Sequence, residues 1–429
     1  MTGEPIDRSL IAPGLLTIDH EALARRFGTP LFLYDEDELR DRCRHYVHEF
    51  GPDSVVYAGK AFLCAAMARL VAEEGLHLDV ATGGELHVAR AVGFSPDRVV
   101  LHGNNKSDEE LRDGLEYGVG RIVADSFDEL DRLEELAADL AVQPTVLVRV
   151  TPGVEAHTHQ YIETGTEDSK FGFTVSEDVA FAAVRRVVTS PNLRFGGLHC
   201  HIGSQIQRLD PWGRAVPVLA ALARQVVGEL DVPIAELNLG GGLGARYVAD
   251  DPPLAISDYA SALRDALQRS WSPDAGERPA VLVEPGRSIV APCAVTLYRV
   301  GTVKEIPGVG TYVAVDGGMS DNPRPVLYGA GYEAYLPSRV DEDRPLRCRV
   351  VGKHCEQGDV IVADASLPAG VRRGDLLATP TTGAYGYSMA SNYNRTPRPA
   401  VVFVRGGEPR LVVRRETPKD VSRLDVVGD

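Results

Sequence analysis

The chain has 429 residues, with 45 Lys+Arg against 61 Asp+Glu, a formal net charge of −16. The acidic balance argues against nucleic acid or an anionic membrane as partner, since both require a basic patch, and the length supplies two or three domains' worth of core. No leader pattern opens the chain, no apolar run nears the roughly 20 residues of a transmembrane helix, and six scattered cysteines form no CxxC pair, so the expectation is a reducing, cytoplasmic protein without a disulfide or zinc framework.

Taken in order, residues 1 to about 11 read as a loose arm. Thr29–Asp35 is strand-like, with Pro30 pushing it towards a sheet edge, and Asp37–Glu49 is a polar helix. From Ser54 short apolar runs alternate with amphipathic helical runs. The strand candidates are Val55–Tyr57, His77–Val80, Arg98–His102, Arg121–Ala124, Thr145–Val150, Arg194–His201, Glu236–Leu239 and Ala280–Val283. The stretches between them carry apolar residues at i, i+3, i+4, as in Ala61–Ala72, Asp108–Tyr117 and Phe127–Leu140. Eight such units predict a parallel (β/α)8 barrel. An open doubly wound sheet would favour a GxGxxG turn after the first strand, and Gly59-Lys60-Ala61 offers none. After Gly286 the pattern changes to β-branched and alternating runs separated by Gly and Pro: Ile289–Val303, Tyr312–Val315, Leu346–Val351, Val360–Ala363, Ala400–Val404 and Arg410–Arg414. The expected organisation is an N-terminal segment over 12–35 that joins the β domain, a barrel over 36–286, and a mostly-β domain over 287–429.

A barrel places its functional groups at the carboxyl ends of the strands. Here those ends carry Lys60, Asp79, His102, Asp125, Arg149, His201 with Ser204, the run Gly240-Gly241-Gly242, and Glu284-Pro285-Gly286-Arg287. Glycine permits close approach of the backbone to a ligand. Successive N–H groups at such a turn, leading into a helix, cradle an anion. A phosphate site after strands seven and eight, beside a lysine on strand one, points to pyridoxal 5'-phosphate. Lys60 would anchor its aldehyde as a Schiff base, Glu284 would pair with the ring nitrogen, and His201 would lie against the ring.

These residues, with Tyr57-Ala-Gly-Lys60-Ala, Gly83-Gly-Glu-Leu86, His102-Gly-Asn-Asn-Lys106, Asp168-Ser-Lys-Phe-Gly172, His199-Cys-His-Ile-Gly-Ser-Gln205, Gly240–Gly244, Asp321-Asn-Pro-Arg-Pro325 and Gly352-Lys-His-Cys-Glu356, occur in the order found in one family. Over residues 12 to 425 the chain resembles the fold-type III pyridoxal-phosphate decarboxylases, in the branch acting on meso-2,6-diaminopimelate. The resemblance implies an alanine racemase-like fold and a carboxy-lyase that forms L-lysine and CO2, the last step of lysine biosynthesis. It implies a cofactor site of Lys60, Asp79, His201, Ser204, Gly241, Gly242, Glu284, Gly286, Arg287 and Tyr385. Substrate would be held by Arg287, Arg324, Tyr328, Glu356 and Tyr385, with Lys60, His201 and Cys355 catalytic and Cys355 the proton donor. The family works as a homodimer, so Cys355 and Glu356 would act across the interface. No metal is expected.

The residue types suit that chemistry. A guanidinium binds a distal carboxylate bidentately, which favours Arg287 and Arg324 for it, and Glu356 suits the distal ammonium. A cysteine among cationic groups can act as an acid. This chain departs from the family in carrying Gln357 where a small Ser usually follows the Cys-Glu pair. Three other readings compete. A decarboxylase of D-ornithine, D-lysine or arginine would want an acid where Arg324 stands. An alanine racemase would need a tyrosine base at Cys355. A catalytically dead binding protein should have lost Lys60 or Cys355.

Overall fold

The computed structural model describes residues 3–154 and 169–426. Asp168 of the quoted motifs lies outside them. The chain divides into two compact units, one of Met1–Asp41, Ala245–Pro253 and Arg287–Asp429, the other of Arg42–Gly244 and Leu254–Gly286. Among the described residues no helix is long and apolar enough to cross a membrane.

The first strand, β1 (Leu31–Asp35), belongs to the β unit; the next nine build the barrel unit. They are β2 (Val56–Ala58), β3 (His77–Val80), β4 (Val99–Leu101), β5 (Arg121–Ala124), β6 (Thr145–Thr151), the two-residue β7 (Phe173–Thr174), β8 (Arg194–His199), β9 (Glu236–Asn238) and β10 (Ala280–Leu282). The order β10-β9-β8-β6-β5-β4-β3-β2 is parallel throughout, and β7 pairs off the path with β6. A parallel bridge between Val55 and Val283 closes the ring, with Val56 N–H donating to the Val283 carbonyl at 2.9 Å and Ala58 N–H to that of Pro285 at 3.1 Å. The (β/α)8 barrel read from the alternation is therefore the fold. Its helices take their starts from sequence signals: Ser107 caps Asp108–Tyr117 in a reciprocal box with Glu110, and Ser126 caps Phe127–Asp139.

The β unit continues with β11 (Ala294–Ile306), β12 (Gly310–Val315), β13 (Leu346–Val351), β14 (Val360–Leu367), β15 (Leu376–Pro380), β16 (Ala400–Arg405) and β17 (Glu408–Val413). They run in the order β14-β13-β12-β11-β1-β16-β17, with β15 on β11. Alternate residues Leu31 and Leu33 of β1 meet Val295, Leu297, Ala400 and Val402 in one buried cluster, which Ile6, Ile11, Leu15 and Leu23 cover.

Several expectations change here. β1 is central, paired with β11 on one side and β16 on the other and buried at all five positions; Pro30 precedes the first ladder residue, so its missing N–H removes no bond. The N-terminal arm is packed rather than loose, since Ile6, Leu10 and Ile11 are buried and Asp7 pairs with Arg246 at 3.0 Å. Arg287–Val290 is a helical turn, and the strand read as Ile289–Val303 begins at Ala294. The helix read from Ala61 begins at Ala65, after a one-turn 3-10 helix over Gly59–Ala61. Leu376–Pro380 is a strand that the Pro- and Gly-rich surroundings concealed.

Candidate active site

Val56, Val100, Val123, Leu147 and Leu282, from five barrel strands, form one buried apolar cluster. Two residues further along each strand the side chain returns to the same face, and there stand Ala58, His102, Asp125, Arg149 and Glu284. An apolar plug thus carries a polar layer at its carboxyl end. The layer is internally bonded: Arg149 reaches Asp125 at 3.4 Å, and His102 reaches Glu284 at 2.8 Å.

Glu284 is the node. Its Oε1 meets His102 Nε2 at 2.8 Å and accepts from Asn238 Nδ2 at 2.8 Å, while its Oε2 meets His199 Nε2 at 3.1 Å. Burial works to raise its pKa, but His102 and His199 hold it well below the usual carboxylate value. His102 is shifted the other way from His199: burial opposes charge, yet the carboxylates of Asp79 and Glu284 outweigh it and raise the pKa. Burial drives His199 down to about 4, so it is neutral. Asp79, 3.9 Å from His102, is shifted upward by burial. Two neighbouring carboxyls are thereby pushed apart, one towards its acid form and one fixed as an anion.

Lys60 stands exposed directly after β2, and its ammonium is close enough to act electrostatically on Asp79, Glu85 and His201. Gly59 is required by closeness rather than by a turn, because a Cβ there would lie 2.7 Å from the Asp79 carbonyl. His201 follows β8; burial, then the charges of Lys60 and Arg149, keep it neutral. Its Nδ1 accepts from the Gly241 amide at 3.2 Å, which leaves the proton on Nε2. Gly241 therefore orients the imidazole. The Gly242 amide has no acceptor among the described residues. Gly242 has φ +117°, and a Cβ on it would approach the Gly203 carbonyl to 2.7 Å, inside the loop that bears Ser204. A Cβ on Gly286 would meet Ala58 and Ala61 at 3.0 Å. The glycine run does not enter a helix as expected: the next helix starts only at Ile256, beyond Pro252-Pro253.

The β unit holds a second cluster. Arg324 is 4% exposed and Arg287 6%, yet Arg324 has no carboxylate within ion-pair distance among the described residues. Its Nη1 donates to Tyr332 Oη at 2.5 Å, and its guanidinium lies 4.3 Å from the centre of the Tyr247 ring. Arg287 donates from Nη1 to Tyr247 Oη at 2.7 Å and stacks 4.8 Å from the Tyr385 ring. Tyr328 ends the helical turn that Arg324 begins. In the same unit the loop between β13 and β14 carries Cys355 and Glu356, both exposed. Asp359 ties the base of that loop by accepting from the His354 amide at 2.8 Å and the Met319 amide at 2.6 Å. His354 contacts Ser320 Oγ at 2.8 Å, and Tyr393 donates its hydroxyl to Glu356.

The barrel thus gathers Lys60, Asp79, His201 and Glu284, and the β unit gathers Arg287, Arg324 and Tyr385. Reading the sequence missed His199 and Asn238 as supports of Glu284, and Tyr247 and Tyr332 as supports of the arginines. His199 had a signal, since it precedes His201 by two and so begins an alternation. Tyr247 had none: it sits in the barrel half of the sequence and packs in the β unit.

A family model described as "pyridoxal-dependent decarboxylase, pyridoxal binding domain" matches residues 36–291. The diaminopimelate decarboxylase of Mycobacterium tuberculosis is 50% identical over 413 residues, covering 94% of this chain and 92% of its own. Among solved structures, diaminopimelate decarboxylase from M. jannaschi superposes with a TM-score of 0.89 at 33% identity, covering 96% of this chain and 95% of that one. The Helicobacter pylori enzyme of that name, complexed with L-lysine, gives 0.87 at 32%, covering 95% and 99%.

Proposed function

The chain belongs to the pyridoxal-dependent decarboxylase family, and on that premise we propose that it removes CO2 from meso-2,6-diaminopimelate to give L-lysine. The observation that carries the substrate assignment is Arg324. A buried guanidinium whose near neighbours are tyrosines rather than an acid is prepared for a carboxylate brought by the substrate. An amino acid that loses its only carboxylate would leave Arg324 without one; diaminopimelate retains a second.

The residues of the barrel fit pyridoxal 5'-phosphate by their own chemistry. Lys60 would supply the amine for its aldehyde, Glu284, held ionised, would pair with its ring nitrogen, and His201 would offer a flat neutral imidazole. Gly242, Ser204 and Gly286, with the backbone from Glu284 to Arg287, would cradle the phosphate; Gly241 orients His201, and Asp79 and Tyr385 would complete the set. When bound, the group supplies an electron sink for the pair left behind as the carbon–carboxylate bond breaks.

The remaining work falls to side chains. Arg287 and Arg324 hold the distal carboxylate, with Tyr328 and Tyr385 beside it, and Glu356 takes the distal ammonium. Cys355 delivers a proton to the α-carbon once CO2 has left. Its exposure, with that of Glu356, supports a site that a second copy of the chain completes as a homodimer. The scattered cysteines favour the reducing cytoplasm.

The test is CO2 release by the cofactor-loaded protein. Release from meso-diaminopimelate, with loss of both turnover and the visible absorbance of bound cofactor in Lys60→Ala, is expected. Release from D-ornithine, D-lysine or arginine, but none from diaminopimelate, would overturn the substrate assignment.

A further inference from the structure

Two buried guanidiniums in one cluster repel each other, and something must fix their spacing. Tyr247 touches both through different parts of its side chain. Its hydroxyl oxygen accepts from Arg287 Nη1 at 2.7 Å, and its ring face lies 4.3 Å from the Arg324 guanidinium. Tyr332 packs on its edge, ring centres 5.2 Å apart at 79°, and accepts from Arg324 in turn. Tyr247 is itself only 4% exposed. The Nε–H of Arg324 is buried and has no acceptor among the described residues. A charged donor left buried and unmet is costly unless an anion answers it.

We infer that Tyr247 is a positioning residue that sets the two guanidiniums in register for the substrate's distal carboxylate, and so helps determine specificity for amino acids that keep one. The inference rests on the reading of Arg287 and Arg324 as carboxylate ligands. The phenol is suited to both contacts. As an acceptor it aims the Arg287 fork, and as an electron-rich face it offsets the charge of Arg324 without adding a carboxylate that would compete with substrate. Phenylalanine would keep the face and lose the aim; leucine would lose both.

The experiment measures dissociation constants on the cofactor-loaded protein for L-lysine and for L-lysinamide, whose neutral amide replaces the carboxylate. Tyr247→Phe is expected to weaken L-lysine ~10-fold, the scale of one hydrogen bond to a charged group, while L-lysinamide changes by less than about 2-fold. In turnover the KM for diaminopimelate rises while kcat stays within about 3-fold, as for lost uniform binding. Tyr247→His, which keeps a flat ring and an acceptor nitrogen, falls between wild type and Phe and serves as the second variant should Phe fold poorly. Unchanged L-lysine affinity in Tyr247→Phe, or equal losses for both ligands, overturns the inference. If instead Arg324→Ala binds L-lysine no worse than wild type, the assignment of the arginines fails first, and that outcome is distinct.

Discussion

Asp321 shows how a single buried carboxyl in the β unit makes stability depend on pH. It accepts from Tyr298 Oη at 2.7 Å and from the Gly318 amide at 2.9 Å, yet burial pushes it up to about 7 from the ordinary 3.8. The folded state therefore holds a proton that the unfolded chain releases near pH 4. Its stabilising contribution is complete below about pH 4 and is lost as pH rises to about 7, at up to ~1.4 kcal/mol per pH unit. Asp321→Asn removes that dependence, so its apparent Tm relative to wild type is expected to be higher at pH 8 than at pH 5. Parallel Tm curves for the two proteins would show that Asp321 does not titrate in this window. His199, driven down to about 4 by burial, has the opposite sign: the unfolded chain takes up a proton that the folded state refuses, so stability falls as pH drops from about 6.5 to 4.

Among the elements, the ends of the barrel strands divide the labour between chemistry and support. The His102-Gly-Asn-Asn-Lys106 segment after β4 does both. His102 faces Glu284, whereas Lys106 turns into the wall, 2.8 Å from Glu129 with both side chains 1% exposed, and donates to the carbonyls of Gly103 at 2.6 Å and Val123 at 2.9 Å. Lys106→Met strands a buried carboxyl and two carbonyls. An apparent loss of ~3–5 kcal/mol in the denaturant stability of the barrel unit is expected, largely restored by adding Glu129→Leu. A Lys106→Met protein with wild-type stability would refute the support role. The carboxyl-end groups were legible in the sequence because each follows an apolar residue two positions earlier: Val100 then His102, Leu147 then Arg149, Leu282 then Glu284. Lys106 could not be told from a rim lysine in the same way, since its direction is set by a loop rather than by strand alternation.

Across the whole molecule, the groups assigned to one reaction are carried by two units of one chain, and Cys355 and Glu356 are exposed, with Glu356 accepting from the Tyr393 hydroxyl. On the same β unit Val326 and Leu327 are 41% and 47% exposed, apolar surface suited to a second copy. Cys355→Ala and Arg287→Ala proteins, each inactive alone, are expected to recover roughly a quarter of wild-type turnover when mixed and allowed to exchange subunits, since half of the random dimers are mixed and each holds one intact site of two. Full subunit exchange without recovery would mean that each site is built from one chain. The sequence by itself determined the βα alternation, the mostly-β region after Gly286, and which residues stand at the strand ends, because side-chain periodicity and glycine placement are local properties. Only the tertiary structure decided that β1 is central, that Ala245–Pro253 leaves the barrel to pack with the β unit, that His102 and Asn238 take one oxygen of Glu284 and His199 the other, and that Tyr247 joins two arginines 40 and 77 positions away. Those pairings depend on how strands distant in sequence close around a shared core, and burial then fixes which acids keep their charge.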